Sequence, residues 1–154
     1  MPNFAELQVA FINAQSRERT YWSNLVRTLE RLGEDFVRYL ELPSPTFVIG
    51  EKERNYVSIT QINDTGVIKA FDHSDYEKRA RSIPFTITVA IPDAPRQIVR
   101  EVSIDMTLSA NDGQPGVYSA EFDGGGRWTP YRPGSSRALM DEIANVLKDK
   151  AESV

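Results

Sequence analysis

The only histidine of the chain lies among acids, in Asp72-His73-Ser74-Asp75-Tyr76-Glu77. Imidazole and carboxylates are the groups that ligate hard metal ions or exchange protons near neutral pH, and one loop could present several of them together. Asp72, His73 and Asp75 are therefore the candidate metal ligands. No second histidine can complete a familiar metal site, and the spacing follows no ligand motif. The plainer reading is a solvated loop in which Asp72 or Ser74 caps a helical turn, and neither a metal nor a cofactor is expected.

A second set runs from Gly124 to Ser136. Three consecutive glycines, Gly124 to Gly126, let the backbone approach a ligand closely. Arg127 and Arg132 could pair with a phosphate or carboxylate, and Trp128 and Tyr131 could stack on a ring. The helix expected next would add free N–H groups and a partial positive charge. An anionic ligand or an acidic peptide would suit these four residues. The pattern is neither a P-loop nor a dinucleotide fingerprint. The competing reading is a long connection pinned to the core by its aromatics and stiffened by Pro130 and Pro133.

A third set is the arginines of the first forty residues: Arg17, Arg19, Arg27, Arg31 and Arg38. Glu18, Glu30, Glu34, Asp35 and Glu41 interleave with them, so a solvated helix face is the simple account. A partner-binding helix is the functional one. Signals for covalent catalysis are missing. There is no cysteine, no G-x-S-x-G, and no pattern that singles out a serine to work with His73. A carboxylate pair for glycoside chemistry would have to be assembled by the fold.

Something must position these residues. Segment 3–42 reads as helix, opened by an Asn3–Glu6 capping box and closed by Pro43 and Pro45. Phe4, Leu7, Phe11 and Ala14 share one face, and Trp22, Leu25, Val26, Leu29, Leu32, Phe36, Val37 and Leu40 form a broader stripe. Between them, residues 15–20 are all polar, which leaves one long helix or two that meet near Ser16. Gly33 is a weak point, at roughly 1 kcal/mol against alanine.

From Thr46 the period changes to two. Strands are expected at 46–50, 56–62, 67–71, 83–91, 102–108 and 117–122, with a charged turn over 51–55 and a loop over 72–82. The clearest are Ile83–Ile91 and Val102–Leu108, where apolar residues alternate with Thr, Ser and Asp. Residues 123–134 read as an irregular connection, and 135–151 as a helix capped by Ser135 or Ser136. The expected fold is α+β: a single two-layer domain over 1–154, with a meander-like, mostly antiparallel sheet of about six strands over 46–122. Both helices would pack on its apolar face.

Composition narrows function. The chain has 154 residues, 40% of them apolar and 26% charged, enough to build a core without staples. No leader and no membrane-length apolar run is seen, so a cytoplasmic protein is expected. The net charge of −4 disfavours nucleic acid. The leading expectation is a non-catalytic domain that binds another protein, as an adaptor, chaperone-like protein or inhibitor/immunity-like protein would. Homo-oligomers are compatible with it. The rival is an enzyme or small-molecule binder with a pocket between helices and sheet near Gly124–Gly134. Single-stranded nucleic acid on the sheet is a distant third.

Overall fold

Phe4–Tyr39 form one helix, α1, without interruption at Ser16. The polar stretch breaks nothing, because Gln, Arg and Glu are good helix formers, and the Thr20 hydroxyl bonds back to the Ser16 carbonyl at 3.0 Å. The capping box is present: Glu6 N–H donates to the Asn3 side chain at 2.9 Å and Asn3 N–H to the Glu6 carboxylate at 3.2 Å. The helix ends three residues before Leu42. Leu40 is its C-cap, Glu41 turns to a positive φ of 51°, and Pro43 follows. The computed structural model describes residues 2–62, 65–93, 95–110, 116–123, 128–134 and 136–153.

Two sheets follow. The first is the hairpin of β1 (Thr46–Ile49) and β2 (Lys52–Asn55). The charged segment 51–55 is thus mostly strand rather than turn. The turn needs only Gly50 and Glu51, both at positive φ (56° and 73°), which suits the right-handed twist of a tight hairpin. Glu53 then accepts a bond from the Thr46 hydroxyl across the pair at 2.8 Å.

The second sheet has six strands in the order β4-β3-β5-β6-β7-β8, every neighbouring pair antiparallel. They are β3 (Val57–Ile62), β4 (Ile68–Ala70), β5 (Ser82–Asp93), β6 (Ile98–Ala110), β7 (Tyr118–Phe122) and β8 (Trp128–Tyr131). The fold is the expected α+β one, but the sheet is differently composed. Residues 46–49 stand outside it. Part of the supposed connection 123–134 is its last edge strand, where Pro130 is tolerated because its missing N–H faces no further strand. β4 lies outside β3, so the chain must cross back to place β5 on β3's other side. Residues 71–81 carry that crossing.

Register sorts the two faces. Ile83↔Leu108, Phe85↔Met106 and Ile87↔Ile104 put apolar pairs on one of them. α1 and the closing helix α2 (Arg137–Glu152) cover that face. Leu25, Leu29, Leu32 and Phe36 of α1 meet Ile83, Ile87, Met106 and Leu108 of the sheet and Leu139 and Ile143 of α2 in one fully buried core. Gly33 is explained by that contact: a Cβ there would come within 2.8 Å of Ile59 Cδ1, so its absence lets α1 approach β3. On the open face Thr86 bonds to Asp105 at 2.7 Å and Thr88 to Ser103 at 2.8 Å, which leaves a ladder of satisfied polar pairs facing water. Among the described residues, no helix is long and apolar enough to cross a membrane.

Candidate functional site

At 1.5 Å per residue a 36-residue helix is about 54 Å long, more than the sheet beneath it covers. Only the second half of α1 is packed. Leu25, Leu29, Leu32 and Phe36 are fully buried, whereas Phe4, Leu7 and Phe11 are 73%, 58% and 64% exposed. Their spacing of three and four residues puts Phe4, Leu7 and Phe11 on the same stripe as the buried residues. The stripe therefore runs out of the core into solvent. Val9 and Ile12, on other sides of this arm, are exposed as well.

The root of the arm is clamped. The Tyr21 hydroxyl donates to the Arg81 carbonyl, and the Arg81 guanidinium lies 3.8 Å from the Tyr21 ring centre. Arg81 also pairs with Glu18, which in turn accepts a bond from the Trp22 indole at 3.2 Å. The hydrogen bond from Arg81 holds the Glu18 carboxyl below the usual carboxylate range, with smaller help from Trp22 and Lys78. Tyr21 and Trp22 meet edge to face at 5.2 Å.

Beside this clamp runs an open groove of about 580 Å³, walled by Glu18, Arg19, Trp22, Ser23 and Val26 of α1 and by His73, Tyr76 and Lys78 of the crossing segment. Lys78 Nζ lies over both rings, 4.6 Å from the centre of Trp22 and 5.3 Å from that of Tyr76. The far wall is held by Gln61, which is 2% exposed. Its amide donates to the carbonyls of Glu77 (3.1 Å) and Pro84 (2.7 Å) and accepts from Glu77 N–H at 2.9 Å. A groove with apolar aromatic walls and Arg19, Lys78 and His73 around it can take an apolar side chain beside an acidic one.

The structure places the sequence candidates as follows. His73 is exposed at the groove, but its acidic neighbours are occupied, one within the loop and one with β4. Asp72 accepts bonds from the Ser74 N–H (2.9 Å) and hydroxyl (2.8 Å), and these bonds lower its carboxyl below the usual range. Asp75 pairs with Lys69 at 3.5 Å. Among the described residues, no group of three or more His, Cys, Asp or Glu side chains is arranged to hold a metal ion.

Of the set near Gly124–Gly134, the two described aromatics are not brought together. Arg127 and the three glycines before it lie outside the described residues. Trp128 is 45% exposed on the open sheet face. Tyr131 is fully buried on the opposite face, where its hydroxyl donates to Asp35 of α1 at 2.6 Å. Burial, and then that bond, push the Tyr131 hydroxyl far above the ordinary tyrosine range. Arg132 is exposed, with its backbone tied to the Ser136 hydroxyl at 2.5 Å. Ser136 is the N-cap of α2, yet that hydroxyl caps no helical N–H. Ser135 lies outside the described residues. The cavity nearest Gly134 is a surface groove of about 360 Å³ between α1 and the start of α2, lined by Asp35, Arg38, Tyr39 and Arg137 among others.

The sequence reading put its partner-binding candidate on this helix through the arginines and did not separate the Phe4–Phe11 stripe from the core. The Phe4–Ala14 stripe reads as core, because uncovered and covered stripes have the same period. Trp22 is far in the chain from Tyr76 and Lys78, and only the crossing segment brings them together. Compared with protein-family models, curated proteins and solved structures, the chain matches none.

Proposed function

We propose that this chain is a non-catalytic protein-binding domain whose recognition element is the exposed half of α1, together with the aromatic and cationic groove at its root. The observation that carries the reading is the split along one stripe of one helix. Leu25, Leu29, Leu32 and Phe36 are fully buried, and Phe4, Leu7 and Phe11 of the same stripe are mostly exposed. An amphipathic helix usually owes its stability to packing of its apolar face, and a contiguous exposed apolar patch marks an interaction site. Anchors at i, i+3 and i+7 are the pattern by which one helix is read by another surface.

The rival, a ligand pocket at Gly124–Gly134, draws less support, since Trp128 and Tyr131 face opposite sides of the sheet. Nucleic acid on the open face draws less still. That face presents Glu101, Asp105 and Glu121, with Trp128 at its edge. A cytoplasmic setting fits a chain without cysteine.

The test is affinity capture from a lysate of the source cells with tagged wild type and with a Leu7→Glu/Phe11→Glu double variant. A stoichiometric protein held by the wild type and lost by a variant with unchanged melting supports the reading. Retention of that protein by the variant refutes it.

A further inference from the structure

We infer that the occupant of the arm is a second copy of this chain, its own arm laid antiparallel on the first; this rests on the arm being the recognition element. The arm carries a seam suited to another helix. Phe4, Leu7, Phe11, Ala14, Glu18 and Tyr21 recur at alternating steps of three and four, the heptad spacing that keeps one face along a partner. At Glu18 and Tyr21 this side of α1 already carries the protein's own Arg81, paired with the carboxylate and lying over the ring, so the last two seam positions offer a partner the Arg81 clamp; past Tyr21 the sheet covers it. A parallel partner would drive the two sheets into each other. An antiparallel partner places each body beyond the capped end of the other's arm, and the free lengths match because they are the same segment.

The side chains fit that arrangement. With Phe4 set opposite Tyr21 of the other copy, each Phe11 falls opposite an Ala14, so a large side chain meets a small one twice about the two-fold axis. Leu7 lies along the stem of Glu18. Glu6 and Arg17 sit on one flank of the seam and come opposite each other, once on each side of the axis, and the helix dipoles oppose. In a parallel pairing Phe11 would meet Phe11 and Ala14 would meet Ala14, and Glu6 and Arg17 of the two copies would lie on opposite flanks with no pairing between them.

Size sets the strength. The exposed parts of Phe4, Leu7 and Phe11 amount to roughly 400 Å² of apolar surface per arm, about 800 Å² for the pair. That is below the ~1,600 Å² of a standard stable interface, so the dimer is weak and depends on concentration.

Sedimentation equilibrium of the full chain from about 1 µM to about 1 mM should show a monomer–dimer equilibrium with a Kd of roughly 1–100 µM. Ala14→Glu, with melting unchanged at low concentration, should weaken it at least about tenfold. The chain has no cysteine, so introduced thiols report alone. A mixture of Phe11→Cys and Ala14→Cys chains should yield the mixed disulfide. Phe4→Cys should not link to itself, because the two sites lie about 25 Å apart in this arrangement, beyond the ~7 Å reach of a disulfide.

A monomer at about 1 mM, an Ala14→Glu variant that still dimerises, or ready self-linking by Phe4→Cys would each overturn the proposal. If the chain stays monomeric but Leu7→Glu/Phe11→Glu abolishes capture of a different protein, the second copy is wrong and the arm reading stands. If that variant changes neither property, both fall.

Discussion

Phe11 and Leu29 lie on one stripe of one helix, yet truncating them should have opposite consequences. Leu29 is fully buried between the sheet and α2, so Leu29→Ala removes its burial and opens a cavity. That change costs about 2–5 kcal/mol. For a domain of this size each kcal/mol moves Tm by roughly 2–4 °C, so a fall on the order of 5–15 °C is expected. Phe11 is 64% exposed and lies beyond the core cluster. Phe11→Ala loses little burial and gains roughly 0.5 kcal/mol of helix propensity, so its effect should stay within about 0.5 kcal/mol of zero. The assay is urea unfolding followed by circular dichroism, in dilute protein so that self-association does not contribute. The slope m should be the same for wild type and both variants. A loss of more than about 2 kcal/mol for Phe11→Ala, comparable with a core truncation, would show that the arm packs on the body. The functional reading would then lose its basis.

Gln61→Leu should cost about 2–3 kcal/mol, because Glu77 N–H and the Glu77 and Pro84 carbonyls lose their partner, and hydrogen exchange over 72–79 should rise. Protection as in wild type would show that the groove wall is held some other way. Tyr131→Phe should cost roughly 1–2 kcal/mol in denaturant unfolding by removing the bond to Asp35, and a cost near zero would contradict that role. The same residue governs alkaline behaviour. Its hydroxyl stays protonated in the folded chain while the unfolded one ionises near the ordinary value of about 10, so its contribution is complete below pH ~10 and declines as pH rises further. Tyr131→Phe should flatten that decline, and an unchanged alkaline limb would argue against it. Gly134, at φ +82°, donates its N–H to Asp35 at 2.8 Å, so Gly134→Ala should destabilise by about 1–2 kcal/mol through left-handed strain. A neutral result in the same unfolding assay would mean that the turn relaxes.

Local signals carried most of the fold. The Asn3–Glu6 box, the stop at Pro43 and the alternation of Ile83–Ile91 and Val102–Leu108 all lie within a few residues, where side-chain period and capping chemistry act directly. Those signals suffice for the α+β class, both helices and the two central strands. They mislead where a local preference yields to a partner elsewhere. Lys52–Asn55 is too charged to suggest a strand, but it pairs with Thr46–Ile49 at the protein's surface. Trp128–Tyr131 looks irregular because of Pro130, yet an edge strand accepts proline.

The site was less legible, for a reason of distance rather than chemistry. The stripe of α1 is one pattern from Phe4 to Phe36, written in the sequence with no mark where cover ends. Tertiary structure decides that, because the sheet is shorter than the helix. The strand order decides the rest: with β4 outside β3, residues 71–81 must cross back, and this carries His73, Tyr76 and Lys78 to the root of the arm. Helix, period and cap are properties of neighbouring residues, whereas burial and the meeting of Trp22 with Lys78 depend on where the chain returns.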